Sequence, residues 1–419
     1  MINFAFEGIM FKSVTIKNYK TIKDLSDFPL RNINVLIGAN GSGKSNFLQF
    51  FNFVNMSISQ KYEYRPGILS QSDHFNAYVL KKGGASRFLS YHGKFGDNIF
   101  CELAFVEQVS REITADWNNS IDDCCYQYTI KSQEQIQNIK EKVSGYLDGN
   151  YHNSFKMLYS KNIWKEFDVK FEYAGLGNEQ LEKPNMHIEE LMRISYTKYY
   201  QNVRQYHFHN TTENSPMILE CAVHENTRLW SDGGNIAPFV YRLYKKYPAE
   251  YDFLVRSIRM LVPDFYDFSI DIEKKDSDYV ALYWLHANDL GSENEIKYHP
   301  TELSDGSLRI ICLLTLLLQP AELMPKVIII DEPELGLHPQ AMSMIADLIH
   351  NLSDNTQFII ATQSTEFLDL FEADDVIVVD KNDDGTSDFK RLEVEKLQKW
   401  LKDYKLSALW QKNVIGGNL

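Results

Sequence analysis

Apolar and polar positions along the chain follow the two periods expected of strands and helices. Residues 11–16 alternate apolar and polar side chains, which predicts a strand, and residues 32–37 form a short apolar run that ends at a glycine-rich loop. Beyond the loop, apolar side chains recur at helical spacing over residues 46–58. Two further runs at 88–92 and 98–106, with glycines between them, predict an antiparallel hairpin.

The last third of the chain alternates predicted strands with predicted helices. The strands are predicted at residues 265–272, 279–285, 326–331, 357–361 and 375–380, and the helices at residues 308–318 and 339–352. The run at 326–331 is almost wholly apolar, which is typical of a strand buried on both faces of a parallel sheet. The predicted fold class is therefore α/β, with a buried parallel sheet.

Residues 107–263 differ in composition from the rest of the chain. They are rich in Tyr, Asn, Lys and Gln and contain helical patterns at 132–147 and 235–247. No heptad pattern persists over three or four repeats, so a long coiled-coil arm is not predicted. We predict a mostly helical insertion at 107–263 between two parts of one α/β unit, residues 1–106 and 264–419.

Composition narrows the possible functions. The 419 residues carry a formal net charge of −14, which argues against a surface built mainly to neutralise phosphates, so any nucleic acid would need a local basic patch. The sequence contains neither an apolar run of about 18 residues nor a secretory signal pattern, so we expect no membrane span and a cytoplasmic location. The five cysteines form no metal-ligand spacing, and we expect them to be reduced and structural.

Residues 38–45 read Gly-Ala-Asn-Gly-Ser-Gly-Lys-Ser and match the pattern of a phosphate-binding loop. The loop lies between a predicted strand and a predicted helix, a context that favours this interpretation over a plain glycine-rich turn. Backbone N–H groups would surround phosphates at the positive end of the helix, with Lys44 at the β and γ oxygens and Ser45 on Mg²⁺. The expected nucleotide contacts are Asn40, Gly41, Ser42, Gly43, Lys44, Ser45 and Asn46.

Two adjacent acids end the apolar strand at 327–332. Carboxylates at the carboxyl end of a buried strand lie where ligands of α/β proteins bind. Asp331 could hold Mg²⁺ through water, and Glu332 could accept a proton from the water that attacks the γ-phosphate. The alternative is a pair of acids that caps the following helix.

Residues 303–309 read Leu-Ser-Asp-Gly-Ser-Leu-Arg immediately before a predicted helix. Ser304 and the Gly306 backbone would present donors and the positive helix end to an anion, with Asp305 beside them among the expected nucleotide contacts, although the segment alone is equally well explained as a helix N-cap. Its order along the chain favours the anion site, because the glycine loop precedes it and both the acidic strand and Ala-Thr-Gln-Ser at 361–364 follow it.

Taken in this order, these segments resemble the ABC-type ATPases of the SMC, RecF and OLD group, with Walker A at 38–45, the signature at 303–309 and Walker B at 327–332. The resemblance implies a P-loop ATPase head with a mixed sheet, and ATP and Mg²⁺ as cofactors. It further implies a head-to-tail homodimer, or a higher even-numbered oligomer, in which Ser304 and Gly306 contact the γ-phosphate held by the other subunit. Residues 336–339 would form the D-loop that crosses the interface.

The segments 206–210, 229–235 and 406–417 also resemble a compact RecF-like bacterial subfamily. Its members are similar to the standalone ATPases of anti-phage defence systems, such as AriA of PARIS, which are encoded beside an effector. The resemblance implies a sensor or regulator ATPase that acts as a conformational switch on a separate nuclease or toxin. The alternative is a RecF-like DNA-binding clamp in DNA repair or maintenance, with which it shares the ATPase motifs.

The sequence departs from the family pattern where many relatives have a switch histidine. Gln363 stands there, and an amide can hydrogen-bond the γ-phosphate or water but carries no charge, so we expect slow hydrolysis. No clear Q-loop is present, although Gln71 and Gln108 are candidates. No acid-rich nuclease domain fits after Asp380, so we expect the chain to lack its own nuclease.

Two other features leave alternatives open. His207 and His209 are two residues apart and would face the same side of a strand, as zinc ligands can, but the sequence places no third ligand, and a structural use is favoured. Apolar side chains at helical spacing over residues 396–410 predict a helix that either packs on the ATPase unit or docks a partner.

Overall fold

The structure is a computed structural model. It describes residues 11–58, 75, 78–90, 98–105, 154–161, 167–174, 202–269, 278–289 and 296–417. Within these ranges, every helix is too short or too polar to cross a bilayer.

The described elements alternate strands and helices through most of the chain. The strands are β1 (Phe11–Tyr19), β2 (Ile22–Pro29), β3 (Ile33–Ile37), β4 (Asn98–Phe105), β5 (Ser154–Lys161), β6 (Phe167–Ala174), β7 (Val203–Tyr206), β8 (Cys221–Ala222), β9 (Phe265–Phe268), β10 (Tyr279–Val280), β11 (Trp284–His286), β12 (Lys297–Tyr298), β13 (Val327–Asp331), β14 (Gln357–Ala361), β15 (Val376–Lys381) and β16 (Ser387–Arg391). The helices are α1 (Lys44–Ile58), α2 (Ile236–Lys246), α3 (Pro248–Leu261), α4 (Asp305–Leu317), α5 (Pro339–Leu352), α6 (Thr365–Leu368), α7 (Val394–Leu397) and α8 (Leu406–Gln411).

A six-stranded sheet forms the centre of the fold, in the order β16-β15-β3-β14-β13-β7. Its strands run parallel except β16, which is antiparallel to β15. This confirms the predicted α/β class with a mixed sheet. The strand order places the carboxyl ends of β3, β14, β13 and β7 side by side, and the candidate site lies at these ends.

The two faces of the central sheet bury separate cores, because successive side chains of a strand point to opposite sides. On β13, Ile328 and Ile330 belong to a core shared with helices α2 to α5, whereas Val327 and Ile329 belong to a core shared with α1. This explains why the run is apolar throughout. Burial on both faces removes polar positions from the strand.

Helix α1 packs between the central sheet and a second, antiparallel sheet of order β2-β1-β4-β5-β6. Aromatic side chains dominate this contact. Tyr19 meets Phe50 edge to face with ring centroids 5.4 Å apart, and Phe47 meets Phe51 at 5.5 Å. Such pairs favour one geometry in addition to burying area. The helix that follows the glycine loop is therefore fixed from both sides.

The described residues of the expected mostly helical insertion at 107–263 form strands as well as the helices α2 and α3. Strands β5 and β6 extend the antiparallel sheet, and β7 pairs with β13 inside the central sheet. The sequence of β6 alternates apolar and polar residues, and this period-2 pattern decided the structure over the polar composition of the region. The predicted helix at 235–247 is confirmed as α2, while 132–147 lies outside the described residues.

Two local predictions are wrong. Strand β4 pairs with β1 and β5 and not with residues 88–90, the described part of the predicted partner strand, in which Leu89 makes a bridge to Tyr19. The helix predicted at 396–410 is interrupted, because α7 ends at Leu397 and α8 begins at Leu406. Only α8 presents buried apolar side chains at helical spacing, so packing on the core, one of the two alternatives, holds for that part of the tail.

Candidate functional site

Four parallel strands deliver the candidate residues to one edge of the central sheet. The glycine loop follows β3, the two acids end and follow β13, Gln363 follows β14 and His209 follows β7. Since parallel strands share a carboxyl edge, segments far apart in sequence meet there. The structure therefore brings together the predicted glycine loop, acidic pair and glutamine.

Residues of β16 support the glycine loop from behind. Gly43 has a φ of 120°, and a Cβ added there would lie 2.0 Å from the Ser387 Oγ. The Ser387 hydroxyl donates to the Ser42 carbonyl oxygen, and its Oγ lies within hydrogen-bond distance of the Thr21 hydroxyl, at 2.7 Å. Only glycine fits this position, because a side chain would clash and would also be strained at a positive φ.

Lys44 folds back onto its own loop. Its ammonium donates to the Gly38 carbonyl oxygen at 2.6 Å and to the Ala39 carbonyl oxygen at 3.1 Å. Burial lowers the pKa of Lys44, and the nearby carboxylates of Asp331 and Glu332 oppose that shift. The Lys44 ammonium is thus held at the glycine loop by two carbonyl oxygens, and the anionic oxygens of a phosphate could take their place as acceptors.

Ser45 and Asp331 meet across the edge of the sheet, where the Ser45 Oγ donates to the Asp331 Oδ2 at 3.0 Å. Burial raises the pKa of Asp331, while the hydrogen bond from Ser45 lowers it. A hydroxyl and a carboxylate are hard oxygen ligands of the kind that Mg²⁺ prefers. The donor set therefore fits magnesium.

Glu332 and Gln363 form a second pair at this edge. The Gln363 Nε2 donates to the Glu332 Oε1 at 2.5 Å. Glu332 has a φ of 46°, in the left-handed region that residues with a Cβ rarely adopt. Its own N–H donates to the Ala361 carbonyl oxygen at 2.8 Å. Strained backbone of this kind concentrates at functional sites.

Glu334 is a further acid that the sequence analysis did not single out. Its side chain is buried, its Oε1 accepts the Thr362 hydroxyl at 2.5 Å, and burial raises its pKa. Through Thr362 it holds the segment that carries Gln363. An acid two residues after the Glu332 candidate was the only signal in the sequence.

The segment 303–309 is a capped helix start that packs against Gly336, in the predicted D-loop of the same chain. The Ser304 Oγ accepts the Ser307 N–H at 3.1 Å, and Ser304 and Asp305 are exposed. A Cβ on Gly306 would lie 2.7 Å from the Gly336 carbonyl oxygen. Among the described hydrogen bonds, those of the Ser304 side chain stay within the first turn of α4 and do not reach the glycine loop.

Arg309 connects three segments in this region, a role that the sequence analysis also missed. Its guanidinium donates to the carbonyl oxygens of Phe208 at 3.2 Å, His209 at 3.0 Å and Leu335 at 3.1 Å. The acceptors are main-chain groups, so no pattern of side chains announced them. Arg309 ties α4 to the end of β7 and to the segment before the D-loop.

The remaining candidates lie in varied surroundings. Asn40 is exposed on the loop, whereas the Asn46 amide donates to the Thr21 Oγ at 2.9 Å. Gln71 and Gln108 lie outside the described residues. In the described part of the chain, His, Cys, Asp and Glu form no group of three that could hold a metal, which leaves the zinc interpretation of the two histidines without support.

Two family models match the chain. The one described as "AAA domain, putative AbiEii toxin, Type IV TA system" matches residues 125–369, and the one described as "AAA ATPase domain" matches residues 10–216. None of the curated proteins compared with the chain matches it.

Two solved structures share the fold. An SMC head bound to the C-terminal winged-helix domain of ScpA superposes with a TM-score of 0.56 at 14% identity, covering 93% of this chain and 100% of that one. An SMC head with an extended coiled coil, bound to the C-terminal domain of ScpA derived from Pyrococcus furiosus, superposes with a TM-score of 0.52 at 13% identity, covering 94% and 99%.

Proposed function

The chain belongs to the AAA domain family described as a putative AbiEii toxin and has the fold of SMC heads, and from this premise we propose that two copies close head to tail around two Mg-ATP molecules and act as a conformational switch. One observation carries the proposal. The glycine loop, the acidic pair and Gln363 meet at one edge of the sheet, whereas the capped start of α4 stays exposed and makes none of its described hydrogen bonds to them. Each chain would thus hold two half-sites.

In this proposal the residues at the edge divide the work. Lys44 exchanges its two carbonyl partners for the β and γ oxygens of ATP, and the loop N–H groups bind the remaining phosphate oxygens. Ser45 and Asp331 hold Mg²⁺, which neutralises charge on the phosphates. Glu332 takes a proton from the attacking water, and Gln363 orients it without carrying charge. An uncharged amide in place of histidine supports slow turnover.

The signature half-site would act on the partner. Ser304, Asp305 and Gly306 start a helix whose N-terminal end attracts anions, and the exposed side chains of Ser304 and Asp305 leave this end accessible to a second copy. ATP bound by one chain would then be clamped by the signature of the other. Closure and hydrolysis would alternate, because ATP contributes contacts to both chains only while its γ-phosphate is present.

We place this switch in bacterial defence, as the ATPase that controls a separate effector protein. The family description names a toxin of a toxin–antitoxin system, which supports action beside a partner protein. The net charge of −14 disfavours a DNA-binding clamp, since DNA binding depends on neutralising phosphates. The RecF-like clamp would require strong, salt-dependent DNA affinity in the presence of ATP.

The shared-site proposal is tested by the mass of the protein in solution. Glu332→Gln keeps Lys44, Ser45 and Asp331, so it should bind Mg-ATP and stall before hydrolysis. We expect light scattering to show a mass about twice that of the nucleotide-free variant when Mg-ATP is added.

The matched control adds Ser304→Arg to the same background. Ser304 is exposed, so the change should spare the fold and ATP binding but block the mass increase. A mass that increases equally in both variants, or in neither, would contradict dimerisation through the signature.

A further inference from the structure

The peptide group between Asp331 and Glu332 is held at both of its polar ends. Its N–H, on Glu332, donates to the Ala361 carbonyl oxygen at 2.8 Å. Its carbonyl oxygen, on Asp331, lies 2.8 Å from the His209 Nε2. A carbonyl oxygen can only accept, so Nε2 carries the hydrogen of this bond. The two bonds come from opposite sides, because β13 runs between β14 and β7.

His209 takes over where the main-chain pairing of β7 stops. The parallel pairing of β7 with β13 ends at Tyr206 and Ile330, one residue before Asp331. Beyond that point the backbone of β7 no longer reaches the carbonyl oxygen of Asp331. The imidazole of His209 reaches it instead, so a side-chain hydrogen bond replaces the main-chain hydrogen bond that the strand pairing would have supplied.

Glu332 is the residue that needs this restraint. Its φ of 46° is unfavourable for a side chain with a Cβ, and such a conformation persists only when the surroundings enforce it. Because the peptide group between Asp331 and Glu332 is fixed at both of its polar ends, rotation about ψ of Asp331 and φ of Glu332 is limited. The same conformation brings the Glu332 carboxylate to the Gln363 amide, at 2.5 Å.

His209 is itself held in place. The neighbouring Phe208 is buried, and the carbonyl oxygens of both residues accept hydrogen bonds from the Arg309 guanidinium, at 3.2 and 3.0 Å. The imidazole is therefore presented from a fixed main chain although it lies at the surface. His207 follows the same strand, is also exposed, and has no side-chain hydrogen bond among the described residues.

We propose that His209 is a positioning residue for Glu332. The Nε2–H of His209 holds Glu332 in the left-handed conformation that hydrolysis requires. This inference rests on the proposed function, in which Glu332 is the base. It gives His209 a use that differs from metal binding. It also places a histidine beside Walker B on the β7 side, opposite the β14 side from which Gln363 comes.

The first test compares three variants by steady-state ATP hydrolysis. His209→Ala removes the donor and should lower kcat on the order of 10²-fold, the loss typical of a slightly misplaced catalytic group, with KM for ATP changed less than about threefold. His209→Gln keeps an N–H donor and should recover most of the rate. His207→Ala is the matched control and should behave as wild type.

Unchanged turnover in His209→Ala would overturn the proposal. So would a failure of His209→Gln to recover any rate, or a loss confined to KM, because neither fits a donor that positions the base. Thermal unfolding followed by circular dichroism, together with ATP binding, shows whether each variant is folded. If His209→Ala unfolds, the turnover of His209→Gln is compared with that of Glu332→Gln at saturating ATP, and this comparison tests the proposal instead.

A double-mutant comparison separates positioning from a general structural role. If His209 acts through Glu332, adding His209→Ala to Glu332→Gln should cause no further loss in the residual rate of single-turnover hydrolysis that Glu332→Gln retains. A further loss as large as in the wild-type background would contradict the proposal. Normal turnover in Glu332→Gln alone would instead refute the base assignment, so the two failures are distinguishable.

Discussion

Burial raises the pKa of two acids at the carboxyl edge of the central sheet, Asp331 and Glu334. Glu334 is only 8% exposed, and its Oε2 has no hydrogen-bond partner among the described residues. An ionised carboxylate with an unpartnered oxygen is costly to bury, so burial raises the pKa of Glu334, and the hydrogen bond from the Thr362 hydroxyl only partly offsets this. The native state therefore binds this proton more tightly than the unfolded chain does.

Glu334→Gln should gain stability relative to wild type as pH rises. The raised pKa means that the wild-type native state loses stability as pH climbs from near the ordinary value of 4.5 to the raised value. Glutamine has no proton to lose, and its amide oxygen can still accept the Thr362 hydroxyl. The difference in unfolding temperature, variant minus wild type, should increase from about pH 4 to about pH 7.

The matched control for this measurement is Glu366→Gln, an exposed carboxylate in the same region of the chain. Its difference from wild type over the same pH range is the baseline with which the Glu334→Gln difference is compared. A Glu334→Gln difference that shrinks as pH rises would show that the carboxylate is stabilised in the native state.

Sequence reasoning located the residues of the site unevenly. Lys44, Ser45 and the acidic pair were predicted because each belongs to a short motif next to a periodic element. Arg309 and Glu334 were missed, and the contact of His209 with Asp331 was not foreseen. Their partners are carbonyl groups or side chains of segments 26 to 122 positions away, and such contacts follow from strand order.

At the scale of elements, the start of α4 and the D-loop form one closely packed unit. Gly306 faces the Gly336 carbonyl oxygen with no space for a methyl group, and Arg309 binds the Leu335 carbonyl oxygen next to it. A displacement of the signature would therefore move the D-loop with it. The start of α4 and the D-loop both lie at the proposed dimer interface. Their packing could therefore couple closure of one ATP site of the dimer to the other ATP site.

Gly306→Ala should disturb this unit. Its Cβ would lie 2.7 Å from a main-chain oxygen, which cannot move aside as a flexible side chain can. We expect a loss of about 1 to 3 kcal/mol in the free energy of unfolding, measured with urea, and reduced ATP hydrolysis. Asp305→Glu, an exposed change in the same turn that keeps the acid, is the control. Wild-type stability and activity in Gly306→Ala would contradict the packing.

Helices and strands were predicted well where one period dominates the local sequence. Strand β14 and helix α5 have the predicted bounds, strand β13 begins one residue later than predicted, and both bounds of β15 lie one residue later. Strands β5 and β6 were missed because polar composition was weighed above the alternation of their side chains. Their place beside β4 depends on pairing across the sheet, which a local pattern does not encode.

At the scale of the whole molecule, the faces of the central sheet stabilise the fold, and its carboxyl edge carries the candidate catalytic residues. Its two faces bury independent cores, and its carboxyl edge collects one set of catalytic candidates. The signature is carried by α4, with its side chains Ser304 and Asp305 exposed. The proposed switch follows from this division, because a chain that holds two half-sites gains a complete site only by pairing.

The measurement that tests this account most directly is ATP hydrolysis by two inactive variants produced together. Lys44→Ala loses the glycine-loop half-site, and Ser304→Arg loses the signature half-site, so each alone should be inactive. When the two are co-expressed, half of the dimers combine one chain of each kind, and each such dimer has one intact site. We predict about a quarter of wild-type activity. Activity no higher than that of either variant alone would contradict a shared site.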